Sequence, residues 1–76
     1  MRIYIQFGVE KLCFDVEQNY EISLIKEKIM CRTGIPLEKQ RLLYDGSLIK
    51  DDQTIESAKI KDGAHIILTM DLRGGF

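Results

Sequence analysis

The side chains with thiol or imidazole chemistry in this sequence are Cys13, Cys31 and a single histidine, His65. A cysteine nucleophile needs a base beside it and a third group to orient that base. Cys13 follows Leu12, which the local alternation turns inward, so Cys13 faces solvent from a strand. Cys31 lies two residues after Ile29, on the outer side of an expected helix. The thiols therefore fall on opposite sides of the fold, which opposes both a Cys-His catalytic pair and a disulfide. One histidine is also too few for a structural zinc site, which takes about four Cys or His ligands at tight spacings. We expect no enzyme, no metal and no cofactor. Gly74-Gly75, near the end of the sequence, lack Cβ atoms and can lie extended where side chains would clash.

Composition supports a passive domain. The chain has 76 residues, 45% of them hydrophobic, with 11 Lys and Arg against 12 Asp and Glu for a net charge of −1. That is one small globular domain with a thin folding margin. Charges are balanced and interspersed, so the counterion release that drives nucleic-acid binding has little to act on. No run approaches the ~18 apolar residues that span a bilayer, and the opening Met1-Arg2-Ile3-Tyr4-Ile5 is too short and too alternating for a signal peptide. The expectation is a monomer of cytoplasm and nucleus with neither nucleic-acid nor membrane partners. Unpaired thiols fit a reducing compartment.

The elements that position these groups follow from periodicity. Ile3, Ile5 and Phe7 alternate with Arg2, Tyr4 and Gln6, and Leu12, Phe14 and Val16 alternate across residues 11–16, so two strands form a hairpin around Gly8-Val9-Glu10. At Ile22 the period changes to three and four, and Ile22, Ile25 and Ile29 predict a helix of about three turns. Asn19 and Glu21 occupy its N-terminal approach, Gly34 suits a left-handed cap, and Pro36 forbids continuation. Further strands are expected at residues 40–44, 47–49 and 65–70, with turns at Asp45-Gly46 and Lys61-Asp62-Gly63. One helix covers only one face of such a sheet. If Leu42, Ile66 and Leu68 point to it, then Leu43 and Ile67 point to solvent, and Leu48, beside the inward Ile49, joins them. Such an apolar cluster on a charged domain suggests a partner surface.

Five sequence words in order, Lys26-Glu27-Lys28-Ile29, Gly34-Ile35-Pro36, Gln40-Arg41-Leu42-Leu43-Tyr44-Asp45-Gly46, Asp51-Asp52-Gln53-Thr54-Ile55 and Leu72-Arg73-Gly74-Gly75, closely resemble the ubiquitin family. The resemblance covers the whole chain, with the first hairpin turn one residue shorter. Tyr44 and Asp52 look slightly more like the neddylation modifier than like ubiquitin. The resemblance implies an α+β β-grasp domain over residues 1–70, a mixed four- to five-stranded sheet packed on one helix. It implies a flexible tail over residues 71–76. In such modifiers the glycine carboxylate is activated as an adenylate, passed to enzyme cysteines as a thioester and joined to a target lysine. The implied partners are activating, conjugating and ligase enzymes, a C-terminal hydrolase, lysines of target proteins and receptors with ubiquitin-binding surfaces.

Several positions depart from the family. Phe76 follows Gly75, so the resemblance implies a precursor that loses one residue before Gly75 can react. Asp71 stands where a basic or small residue often precedes Leu-Arg-Gly-Gly, and its carboxylate would repel an activating enzyme whose pocket expects arginine. The family's partner patch corresponds to Leu43, Ile67 and Thr69, joined by Leu48, with its hairpin-loop leucine replaced by Phe7 or Val9. Two family lysines used for chain growth fall on Ser47 and Asp62, leaving Lys11 and Lys28 as possible acceptors. Lys26, at the edge of the inward stripe, is read as structural, its stem packed and its amine paired. The phosphorylatable serine of ubiquitin's last turn is Ala64. The rival reading is a non-conjugated ubiquitin-like adaptor, which would use the patch and have no need of the tail.

Overall fold

The computed structural model describes residues 1–70, and the tail positions Asp71, Leu72, Arg73, Gly74, Gly75 and Phe76 lie outside the described residues. Strands β1 (Arg2–Phe7) and β2 (Glu10–Asp15) form the expected antiparallel hairpin, Ile3 facing Phe14 and Ile5 facing Leu12. The second strand begins and ends one residue earlier than the alternation predicts. Val16 is nonetheless buried, and its amide donates to the Met1 carbonyl. Phe7 and Leu12 are half-buried against the core rather than inside it, because they lie at the turn end of the hairpin.

Helix α1 (Ile22–Thr33) buries Ile22, Ile25 and Ile29, spaced to share one face. It ends as the sequence predicts: Gly34 takes φ 80, and its amide donates to the Met30 carbonyl at 2.7 Å. Its start is different. Glu21 is the capping residue but makes no side-chain cap bond, and Asn19 is exposed. The first helical amides are instead satisfied by backbone carbonyls of a distant loop, Gln53 accepting from Ile22 at 2.8 Å and Asp51 from Ser23 at 3.3 Å. A short 3₁₀ turn η1 (Leu37–Lys39), which no periodicity announces, follows Pro36 and leads into the third strand.

Strands β3 (Gln40–Tyr44), β4 (Ser47–Leu48) and β5 (His65–Met70) complete a five-stranded sheet in the order β2-β1-β5-β3-β4. The central pair, β1 with β5, is parallel, and the other pairings are antiparallel. Between β3 and β4 the loop is Asp45-Gly46, with φ of 55 and 81. Two positive φ values are what a two-residue hairpin turn needs to match strand twist, and Asp-Gly is a favoured pair for it. The fourth strand stops at Leu48, one residue short of the expected bound, although Ile49 is buried and its amide still donates to the Leu42 carbonyl at 2.9 Å.

Ile3, Ile5, Ile22, Ile25, Ile29, Leu42, Ile55, Ile66 and Val16 are the fully buried side chains, all between sheet and helix or under the connection from residue 49 to 64. Two polar groups enter this core. Lys26 is 6% exposed and its Nζ pairs with Asp51 Oδ1. Gln40 is buried too, and its Nε2 donates to the carbonyls of Lys26 at 2.9 Å and Ile35 at 3.0 Å, tying α1 and the segment after it to β3. The architecture is a β-grasp: a mixed sheet with one helix lying across one face.

Candidate functional site

With α1 covering one face, the other face of the sheet is left uncovered by the described residues. Alternation sets Arg2, Tyr4 and Gln6 outward from β1, Lys11, Cys13 and Asp15 from β2, Arg41 and Leu43 from β3, and His65, Ile67 and Thr69 from β5. Leu48 of β4 is Leu43's direct partner and so shares its face. The registers align these residues into rows. Lys11 faces Gln6, Gln6 faces Ile67, Ile67 faces Leu43, and Leu43 faces Leu48, a single line across all five strands. Its last three members are aliphatic: Ile67 is 51% exposed, Leu48 46%, and Leu43 half-buried between them.

The neighbouring rows are polar. Thr69 faces Arg41 on one side of the aliphatic run. On the other side Cys13, Tyr4 and His65 line up, the Tyr4 and His65 rings stacked with centroids 5.0 Å apart and planes 19° from parallel. Lys11 Nζ lies 6.0 Å from the Tyr4 ring centroid, within cation–π reach. At the far corner Arg2 Nε donates to Asp15 Oδ1 at 3.3 Å; this bond and the Asp15 charge hold the guanidinium pKa above its ordinary value.

The structure thus brings Leu43, Leu48, Ile67 and Thr69 together on one face, and Val9 is fully exposed at the first hairpin turn. Phe7 is half-buried, packed against the core. Lys11 sits at the end of the aliphatic line, whereas Lys28 is on α1, its Nζ 5.9 Å from the Tyr20 ring centroid. Cys13 and Cys31 are both free and exposed, one on the sheet and one on the helix. Among the described residues, no group of three or more His, Cys, Asp or Glu side chains could hold a metal ion. Nor is any helix long and apolar enough to cross a membrane. Sequence reasoning missed Lys11, Gln6, Tyr4 and His65 as neighbours of the patch, because only the parallel β1–β5 pairing joins the two halves of the face.

Comparison with known proteins decides the family, since the model of the ubiquitin family matches residues 3–73. The chain belongs to the ubiquitin family. As a β-grasp domain of that family it is not an enzyme. It is 40% identical over 68 residues to ubiquitin domain-containing protein DSK2 of Saccharomyces cerevisiae, matching 90% of this chain but 18% of DSK2. Ubiquitin-like protein 1 of Schizosaccharomyces pombe is 39% identical over 61 residues, covering 80% of this chain and 78% of that protein. The NEDD8-like protein 2 of Dictyostelium discoideum is 32% identical over 78 residues, covering 100% of this chain and 98% of that one. Among solved structures, ATBAG1 in complex with HSP70 superposes with a TM-score of 0.91 at 19% identity, over 99% of this chain and 42% of that one, a likeness of fold alone. This ubiquitin-like chain therefore spans under a fifth of DSK2 and nearly all of the NEDD8-like protein.

Proposed function

We propose that this chain is a ubiquitin-like protein-interaction module that engages its partners through the outer face of its sheet. The observation that carries this reading is the run Ile67–Leu43–Leu48, three aliphatic side chains in register across three strands on a face that the other described residues leave uncovered. Apolar surface of this kind gains free energy when a partner covers it. The DSK2 match supports the same reading, because there the domain is built into a chain several times longer and serves as one part of it. The tail implies a conjugated modifier, but the match to a small part of the much longer DSK2 favours the adaptor form more strongly.

The test compares partners recovered from source cells by wild-type protein with those recovered by Leu43→Ser, Ile67→Ser and a helix-face control, Leu24→Ser. Leu24 is 37% exposed on the opposite side. Loss of the same partners with both sheet variants and retention with the control is the expected result. Equal recovery by all forms would defeat the reading.

A second reading keeps its own observation. The order Leu72-Arg73-Gly74-Gly75 followed by Phe76 suits a precursor conjugated through Gly75 to target lysines, and the NEDD8-like relative matches along its whole length. It requires an activating, a conjugating and a ligase enzyme and a hydrolase that removes Phe76. Mass spectrometry of the protein from its own cells tests it: loss of Phe76 and Gly75 joined to lysine side chains support it, and an intact free chain in cells that express such enzymes counts against it.

A further inference from the structure

We propose that strand β2 pairs with β2 of a second copy of this chain, antiparallel about a two-fold axis at Cys13, so that two sheets join edge to edge. The inference uses an edge of the sheet rather than its face, and it departs from the monomer expected of the sequence. Among the described residues β2 is bonded to β1 alone and forms one edge of the sheet, six residues long against two for β4 at the other edge. The register decides which of its backbone groups point outward. Met1 and Val16 exchange both bonds, the Met1 ammonium donating to the Val16 carbonyl at 3.0 Å and the Val16 amide to the Met1 carbonyl at 2.8 Å. In an antiparallel pair such bonded positions alternate with unbonded ones, so Ile3–Phe14 and Ile5–Leu12 are bonded pairs, whereas Arg2–Asp15, Tyr4–Cys13 and Gln6–Lys11 are not. The Tyr4 amide fits this parity, donating the other way to the Ala64 carbonyl at 2.9 Å. The amides and carbonyls of Lys11, Cys13 and Asp15 therefore point to the edge, where a further strand can bond them.

The order of the side chains selects the occupant. Along the edge they read cation, thiol, anion: Lys11, Cys13 and Asp15, all exposed. An edge carrying one sign of charge repels its own copy. This edge carries opposite signs at equal distances from its centre. A two-fold axis at Cys13 therefore sets Lys11 opposite Asp15 of the second copy, and Asp15 opposite Lys11 of the second copy. The Asp15 side chain is 79% exposed, so its bond to Arg2 leaves it accessible to a second cation. On the other face of the strand the same axis sets Leu12 opposite Phe14 of the second copy, an apolar pair made twice. A slip of two residues either way sets Cys13 against Lys11 or Asp15 and breaks the charge match, which fixes the register. The two Cys13 residues then lie directly opposite, with Cα atoms about 5.5 Å apart, inside the range a disulfide spans.

The test uses the full chain in sedimentation equilibrium up to about 1 mM, the range in which a small edge contact associates. Wild-type protein forms a dimer. Lys11→Glu and Asp15→Lys each weaken self-association at least about tenfold, because like charges then face one another across the axis. An equimolar mixture of these two variants pairs again, since the acidic edge of one meets the basic edge of the other. In a Cys31→Ser background the oxidant diamide, which takes two electrons and two protons from a pair of thiols, links the dimer through Cys13, and adding Lys11→Glu lowers the yield. A chain that stays monomeric over this range overturns the proposal, as does a dimer that both charge variants leave unchanged. Failure of the two variants to pair when mixed overturns the antiparallel register. A dimer lost with Leu43→Ser but kept with Lys11→Glu would put the contact on the sheet face and also overturn it.

Discussion

Leu42 and Leu43 are neighbours with opposite duties. Leu42 is fully buried against the helix, while Leu43 stands half-buried in the middle of the aliphatic line. Leu42→Ala should therefore cost about 2 to 5 kcal/mol of folding stability as a core truncation. Leu43→Ala, which starts partly exposed, should cost about 1 kcal/mol or less, yet weaken partner binding at least tenfold, equivalent to ~1.4 kcal/mol. Thermal denaturation of both variants beside a binding measurement on Leu43→Ala separates the two duties. This division was legible in the sequence, because alternation forces adjacent strand residues to opposite faces. The half-burial of Leu43 was not legible, since it depends on Leu48 and Ile67 flanking it from strands distant in sequence.

The same scale holds the pairing of Lys26 with Asp51, which is lopsided: the lysine side chain is 8% exposed and the aspartate 61%. Removing the aspartate leaves a buried ammonium without its counter-charge, whereas removing the lysine leaves a solvated carboxylate. Asp51→Ala is expected to destabilise by about 2 kcal/mol, and Lys26→Met, which keeps the packed stem, by clearly less. Urea denaturation of the two variants gives the comparison. The inward position of Lys26 could be read from its place beside Ile25 and Ile29. Its partner could not, because Asp51 lies 25 residues away in a loop.

At the scale of elements, the two ends of α1 are built differently. The C-terminal end is local, so Gly34 and Pro36 announced it, and a side chain at φ 80 is strained. Gly34→Ala should lower stability by about 1 kcal/mol. The N-terminal end is made by a remote segment, the carbonyls of Asp51 and Gln53, so no capping residue in the local sequence could reveal it. Glu21→Ala is accordingly expected to change stability by less than about 0.5 kcal/mol, although an ordinary capping side chain contributes ~1 kcal/mol. A loss near 1 kcal/mol on calorimetry would show that the glutamate does cap the helix. The 3₁₀ turn at Leu37–Lys39 escaped the sequence reading for a similar reason: three residues are too few to establish a period.

At the scale of the whole molecule, strands, helix and β-grasp class could be read because each is set by short-range periodicity and by five words in order. What long-range pairing alone reveals is the charge of the sheet face. Arg2, Lys11 and Arg41 are scattered and balanced along the chain, and only the β2-β1-β5-β3 order gathers them on one side. The tail belongs to this scale as well. If the conjugated reading holds, a form ending at Gly75 should be charged poorly by ubiquitin's activating enzyme, and Asp71→Arg should raise thioester formation at least tenfold, about 1.4 kcal/mol. Equal rates for the two forms at low and physiological salt would remove that role from Asp71.

The central claim, that partners dock on the uncovered sheet face, is tested most directly by site-specific photocrosslinking in source cells. A benzophenone side chain is placed in turn at position 48, the outer end of the aliphatic line, and at position 24 on the helix. The account predicts partner adducts from position 48 that disappear when Ile67→Ser is added, and none from position 24. Adducts from position 24, or adducts from position 48 that survive Ile67→Ser, would contradict it.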